Sequence, residues 1–262
     1  MYQRLGSKYI KNKMLEEDDY LKGFIPEYRA YSIDNLLYLS SKYPSVFLKQ
    51  DVGLGAKGVL KISRLENEYS VEDADGNASS LALDDFPKYL NELHIIQQGI
   101  DSLGFNNRSL EFRVYAQKLK DDWEIMGIIP KVAKEGLFSP TLNRGGESLF
   151  FDDVFPGNNE LLDKITNVTL KIGNTINLHL PGLREMGIDF GIDKQEKLWI
   201  FEVNTAPATI TFKPLDSKKY QLVVSNKKKI ISESKIYSLN DILPSPSKKR
   251  CGSCRKTRKR RR

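Results

Sequence analysis

The segment GIDFGIDKQEKLWIFEVNTAP, residues 187–207, constrains this chain more than any other. It predicts two short strands joined by a polar turn. Ile188, Phe190 and Ile192 alternate with Asp189, Gly191 and Asp193, so one face is apolar and the other is not. In the second run Trp199, Phe201 and Val203 share a face, and Glu202 and Asn204 share the opposite one. Pairing Asp193 with Leu198 across a tight turn sets Asp189 opposite Glu202. Two facing carboxylates repel and cost stability, and a divalent cation between them reverses that cost. Asp, Glu and Asn offer only oxygens, which suit Mg2+ (or Mn2+) and leave coordination places for nucleotide phosphates. A hairpin with a solvated polar face accounts for the same residues, so the rest of the chain must decide.

The 262 residues allow one large domain or two small ones with a real core. No run approaches the roughly 20 apolar residues of a membrane span. The start, MYQRLGSKYIKNK, has no apolar core of a signal peptide, so a cytoplasmic protein is the expectation. The net charge of +7 comes from the end of the chain, where KKRCGSCRKTRKRRR holds ten Lys and Arg and no acid. Without that segment 31 basic residues face 34 acidic ones, which argues against a general nucleic-acid binder. Residues 244–262 read as a basic, disordered tail that would attract a polyanion, either nucleic acid or a cell-surface polymer, in a salt-dependent way. Cys251 and Cys254 form a lone CxxC, which is half a zinc site; His94 and His179 are too distant in sequence to complete it.

Residues 8–22 predict a helix with an apolar stripe of Tyr9, Ile10, Met14 and Leu15. DNLLYLSSKYP predicts a helix opened by an Asp cap and closed at Pro44. PSVFLKQDVGLGAKGVLKISR reads strand, glycine loop, strand, and EYSVEDADGNASSLAL reads as a hairpin turning at Asp75-Gly76. LDDFPKYLNEL is a short helix and HIIQQGI a strand. SLEFRVYAQKL and WEIMGIIPKVA form a second strand pair, followed by a glycine-bearing loop, LFSPTLNRGGESLFF. The longest helix carries Leu161, Ile165, Val168, Ile172 and Ile176 at three- and four-residue steps. After the carboxylate hairpin comes a mixed segment with no assigned element. Hairpins with helices between them predict an α+β fold with antiparallel sheets.

Gly53, Gly55 and Gly58 spell GxGxxG, and the following VLKI is a strand signal, which argues against a dinucleotide fold. No Gly-Lys-Ser/Thr follows, so a P-loop is excluded as well. A strand–loop–strand flap fits, its glycines letting backbone N–H groups approach phosphate oxygens; an ordinary glycine-rich turn also fits. The string Asp189-Phe190-Gly191 is shared with protein kinases, but no HRD-type loop precedes it. Lys49 ends the strand before the loop, where an ammonium can reach phosphate.

The order and spacing of KYIKNKMLE with FIPEYRAYS, VFLKQDVGLGAKGVLKI, HIIQQGI, SLEFRVYAQK, NRGG, and IDFGID with WIFEVNTAP resemble the ATP-grasp superfamily, specifically the YheC/YheD-type group of spore-forming bacteria. The resemblance spans most of residues 7–215. It implies two α+β subdomains gripping ATP, here residues 1–100 and 101–243, with the N-terminal domain that often precedes them absent. It implies that Lys13 and Lys49 contact the nucleotide, that Gly53, Gly55 and Gly58 cover the phosphates, and that Gln97, Gln98 and Ile100 meet adenine. It further implies that Asp189, Glu202 and Asn204 hold magnesium, and that Arg113 and Lys131 stabilise the transferred phosphoryl group. Two positions depart from the family's pattern: Glu111 stands where Asp is usual, and Lys131 where Arg is common.

The activity implied is that of a carboxylate–amine ligase acting through an acyl phosphate on small-molecule or peptide substrates. Two alternatives stay open: a spore-associated, ATP-binding structural protein with little catalysis, and an ATP-dependent phosphotransferase.

Overall fold

Helix α1 (Lys8–Glu16) leads to strand β1 (Tyr28–Ala30) and helix α2 (Ile33–Lys42) in the computed structural model. The structure describes residues 2–53, 55–90, 93–233 and 236–237; the basic tail with Cys251 and Cys254 lies outside the described residues. Strands β2 (Val46–Gln50), β3 (Leu60–Arg64), β4 (Tyr69–Asp73), β5 (Ala78–Leu81) and β6 (His94–Gln98) follow. With β1 they form one antiparallel sheet in the order β1-β6-β2-β3-β4-β5. Leu36 and Leu39 of α2 seal one face of it against Val46, Leu48, Ile62 and Ile96. The α2 cap is Ser32, whose hydroxyl accepts from the Asn35 amide at 3.1 Å, rather than the Asp expected from sequence. The segment expected as a short helix before β6 is a 3-10 helix, Leu83–Tyr89.

The second sheet holds β7 (Arg108–Gln117), β8 (Glu124–Val132), β9 (Glu185–Ile192) and β10 (Leu198–Asn204). They run antiparallel in the order β8-β7-β9-β10, with Glu147–Ser148 added outside β8. Helix α3 (Asn159–His179) lays the predicted stripe of Leu161, Ile165, Val168, Ile172 and Ile176 on one face, against Val114, Ile188 and Phe190. Gly173 of that helix admits Trp123, whose indole nitrogen a Cβ there would meet at 2.6 Å. The opposite face is partly covered by α4 (Ser217–Ser232), with Val223 on Tyr115, Met126, Ile129 and Phe212. Sequence reading assigned no helix here. Its buried positions are Val223, Asn226 and Ile230, and the polar Asn226 interrupts an otherwise helical spacing.

The first residues join the second sheet's core. Leu5, Leu15, Leu21 and Ile25 pack with Leu110, Phe112 and Val203, so a division at residue 100 separates the two sheets but not the layers of the core. The helix expected over residues 8–22 breaks after Glu16, because the Asp18 carboxylate accepts from the amides of Tyr20 and Leu21 and starts a new turn.

The buried positions of α1 are Lys8, Lys11, Asn12 and Leu15, while Ile10 is 44% exposed. A helix that buries two lysines and exposes an isoleucine serves something other than its own stability. Burial pushes the Lys11 ammonium down to about 8; Glu202 opposes that, Lys8 adds to it and Asp51 opposes it. Folded Lys11 therefore releases its proton at lower pH than unfolded Lys11. Its contribution to stability is withheld below pH 8 and gained as pH rises to the unfolded value of 10.5. In urea unfolding, wild type is expected to gain on Lys11→Met by on the order of 3 kcal/mol across that window; a difference that stays flat with pH would remove this account.

Candidate active site

The strand register sets one row of charges across the second sheet. Arg113 of β7 lies opposite Asp189 of β9, which lies opposite Glu202 of β10; one step along, Lys131 of β8 lies opposite Glu111 of β7. The turn of the hairpin differs from the sequence expectation. Leu198 pairs with Ile192, not Asp193, and Asp193 instead accepts from the amides of Gln195 and Lys197 and from the Trp199 indole. A β-bulge at Phe201 then restores the register, since Phe190 pairs with Ile200 but Asp189 pairs with Glu202. The extra residue also changes the faces. Leu198, Ile200 and Val203 enter the core, whereas Phe201 lines the cleft beside Glu202. Gly191 makes room for it: a Cβ there would come within 2.1 Å of the Phe201 ring.

Asp189 is 7% exposed, and both its oxygens accept hydrogen bonds from cations, which leaves one lone pair on Oδ2 for a further ligand. Arg113 grips it with Nε at 3.0 Å and Nη2 at 2.8 Å, and Lys131 Nζ approaches at 2.9 Å. Burial alone would push this carboxyl up; Arg113 and Lys131 outweigh burial and hold it well below the usual carboxylate range. Lys131 also reaches Glu111 at 3.3 Å, and there burial wins, raising the Glu111 carboxyl against the pull of Lys131. The Arg113 guanidinium is held above its ordinary value by Asp189, against the opposing effect of burial.

This row faces a cleft of about 1260 Å³ between the two sheets. Among the described residues, eight Lys and Arg and five Asp and Glu line it, a balance that favours an anionic ligand. Lys49, Gly53, Gly55, Gln97, Gln98, Ile100, Arg113, Lys131, Asp189, Glu202 and Asn204 all line this one cleft. Lys49 is half-buried; desolvation lowers its ammonium against the attraction of Glu202 and Glu111, and it donates to Gln97 Oε1 at 2.6 Å. Gln98 is tied to Glu27, its amide donating to the carbonyl at 2.7 Å and its Oε1 accepting from the Glu27 amide at 3.1 Å. Gly55 and Gly58 adopt φ of +68° and +66° in the turn between β2 and β3, as a strand–loop–strand flap requires.

Lys13 is not among the cleft residues. It is half exposed and pairs with Glu16 at 2.8 Å on the outer side of α1. The same helix instead sends Lys8 inward, where its Nζ lies 3.4 Å from Glu202 Oε1 and 3.1 Å from the Gly53 carbonyl. Sequence reading missed Lys8; the available signal was helical spacing, which places Lys8, Lys11 and Leu15 on one side. On the far margin Arg144 of the NRGG segment donates to the Gly55 carbonyl at 2.9 Å and pairs with Asp75 at 2.5 Å. The flap is thus held by a cation at each side.

No group of three or more His, Cys, Asp and Glu among the described residues converges as a metal cage. Glu202, Asn204 and Asp189 form an all-oxygen set with only two carboxylates. That fits a hard cation whose coordination is completed by phosphate oxygens, as is usual for magnesium beside a nucleotide.

The family model for YheC/D-like ATP-grasp proteins matches residues 2–229. The endospore coat-associated protein YheD of Bacillus subtilis (strain 168) is 26% identical over 222 residues, which cover 79% of this chain and 49% of that protein. The chain therefore spans about half the length of this curated relative. Among solved structures, the fold matches an L-amino acid ligase from Bacillus licheniformis with a TM-score of 0.53, at 13% identity over 79% of this chain and 42% of the other. D-cycloserine synthetase DcsG matches with a TM-score of 0.54, at 10% identity over 86% and 70%. An N5-carboxyaminoimidazole synthetase from Staphylococcus aureus, complexed with ADP, matches with 0.52, at 11% over 78% and 45%. No helix among the described residues is long and apolar enough to cross a membrane. From its first described residues to the last turn of α4, the chain belongs to the YheC/D-like ATP-grasp family.

Proposed function

We propose that the cleft binds ATP with a divalent cation and activates a carboxylate as an acyl phosphate, which an amine converts to an amide. The observation that carries this reading is the juxtaposition of the Arg113–Asp189–Glu202 row with Lys49, Lys8 and a glycine flap around one cationic cleft. The fold neighbours, an L-amino acid ligase and two synthetases, agree with it.

Residues Gln97 to Ile100 would meet the adenine. The flap's backbone N–H groups and the ammoniums of Lys49 and Lys8 would hold the phosphates. Glu202, Asn204 and Asp189 would hold the cation, whose contribution when bound is to neutralise charge between phosphate oxygens. Arg113 and Lys131 would stabilise the phosphoryl group in transit. A carboxylate oxygen attacks the γ-phosphorus as its bond to the β,γ-bridging oxygen breaks, giving acyl phosphate and ADP. The amine nitrogen then attacks the acyl carbon, phosphate leaves with the C–O bonding pair, and the nitrogen gives up a proton. Closure of the flap keeps water from the acyl phosphate.

The name of the B. subtilis relative supports a second reading, a spore-associated protein that binds ATP with little turnover. Glu202→Ala separates the two. With an amino-acid and peptide library, wild type is expected to release ADP and form an amide, and the variant to do neither. ATP binding without ADP release on any substrate pool would favour the second reading, and transfer of phosphate to an alcohol would favour a phosphotransferase.

A further test separates Lys8 from Lys13. A charge-assisted hydrogen bond to phosphate contributes about 1.5–3 kcal/mol, so Lys8→Met should weaken ATP about 10- to 150-fold. Lys13→Met should change it less than about twofold, as for an exposed pair. Calorimetric titration with the opposite ranking would return the phosphate role to Lys13.

A further inference from the structure

Behind the cleft wall lies an ion pair that the mechanism above does not use, its carboxylate buried and its ammonium half-buried. Glu185, at the start of β9, is fully buried. Lys227 of α4 approaches its Oε1 at 2.9 Å, and the Tyr115 hydroxyl donates to its Oε2 at 2.7 Å. The same Lys227 ammonium donates to the carbonyl of Pro207 at 2.9 Å. Pro207 belongs to the turn that follows Asn204, and Asn204, Ala206, Pro207 and Ala208 all line the cleft. That turn folds back onto β9 where Gly187 pairs with Asn204; a Cβ on Gly187 would come within 2.7 Å of Pro207 Cβ.

A well-packed apolar pair would stabilise this junction as well as a buried ion pair, or better. An ammonium adds something an apolar side chain cannot: a directed hydrogen bond to a loop carbonyl, with Glu185 and Tyr115 fixing where the donor sits. Partners that orient a site residue from behind are commonly felt as strongly as the direct contacts.

We infer that Lys227 is a positioning residue, and that the Glu185–Lys227 pair is the strut that fixes the Asn204–Ala208 turn as the cation-side wall of the cleft. The link to the cation rests on the ATP-binding reading above; the mechanical role of the strut does not.

Four full-chain variants test it: Lys227→Met, Lys227→Arg, Glu185→Gln and the double variant Glu185→Gln/Lys227→Met. The double variant removes both charges together, so it spares the fold an unpaired buried carboxylate while still losing the bond to Pro207. Two readouts are taken on each: amide hydrogen exchange of residues 204–211 without ligand, and affinity for ADP with and without Mg2+. Lys227→Met and the double variant are expected to exchange faster at 204–211. Both should lose about tenfold in Mg2+-dependent ADP affinity, with metal-free ADP affinity unchanged. Glu185→Gln keeps an oxygen facing Lys227 but loses the charge that seats it, so it should shift both readouts in the same direction as Lys227→Met and by less, and Lys227→Arg should recover most of both. If the double variant regains thermal stability and wild-type exchange and affinity together, Lys227 is only a stabilising residue and the inference is wrong. If wild type binds no ADP with Mg2+, the functional reading fails, while exchange at 204–211 still decides the strut.

Discussion

One buried carboxylate organises the cleft. Asp189 sits where a lone charge would cost several kcal/mol, and the side chains that neutralise it arrive from two different strands, β7 and β8. The register of the sheet is therefore tied to the charge pairing. A slip of one residue would turn Phe112 and Phe190, both fully buried, into the cleft and send Arg113 and Asp189 into the apolar core. Packing and ion pairing specify the same alignment, so the site and the core are two faces of one constraint.

Much of this was legible in the sequence. Alternation in residues 187–204 located the hairpin and set Asp189 against Glu202, and the three- and four-residue steps of Leu161 to Ile176 located the helix behind it. The bulge was not legible, because alternation assumes that no residue is inserted; Phe201 therefore stood on the wrong face. Lys8 and Lys11 were missed, since apolar residues are assumed to mark the buried side of a helix, and α1 buries both ammoniums, Lys8 at the cleft. Helix α4 escaped notice because it docks through Val223, Asn226 and Ile230, a stripe too short and too polar to stand out. Each failure lies where burial serves the cleft or its supports rather than the core alone.

The two sheets meet at both margins of the cleft. On one side Lys8 holds the Gly53 carbonyl. On the other, residues 136–146 reach across: Arg144 to Gly55 and Asp75, Phe138 edge-on to Phe47 with ring centroids 5.4 Å apart, and Leu137 over Gly76. Opening the cleft on that side gives up these contacts together, so they act as one fastening rather than as separate weak ones. The segment also supplies part of the cleft lining, from Gly136 to Asn143, so the fastening and the binding surface are made of the same residues.

Thr205 receives the amide of Leu5 on its hydroxyl oxygen at 2.8 Å and returns a hydrogen bond to the Leu5 carbonyl at 3.0 Å, across 200 residues of sequence. Contacts so distant in the chain slow folding, because the loop must close before they reward it. On a ribosome adding about 5–20 residues per second, the first helix waits about 10–40 s for its partners to be made. During that time Leu15, Leu21 and Ile25 lack the core they finally share with Phe112 and Val203. This segment is thus synthesised well before the core that buries it, and it spends that interval as the kind of apolar segment that chaperones hold.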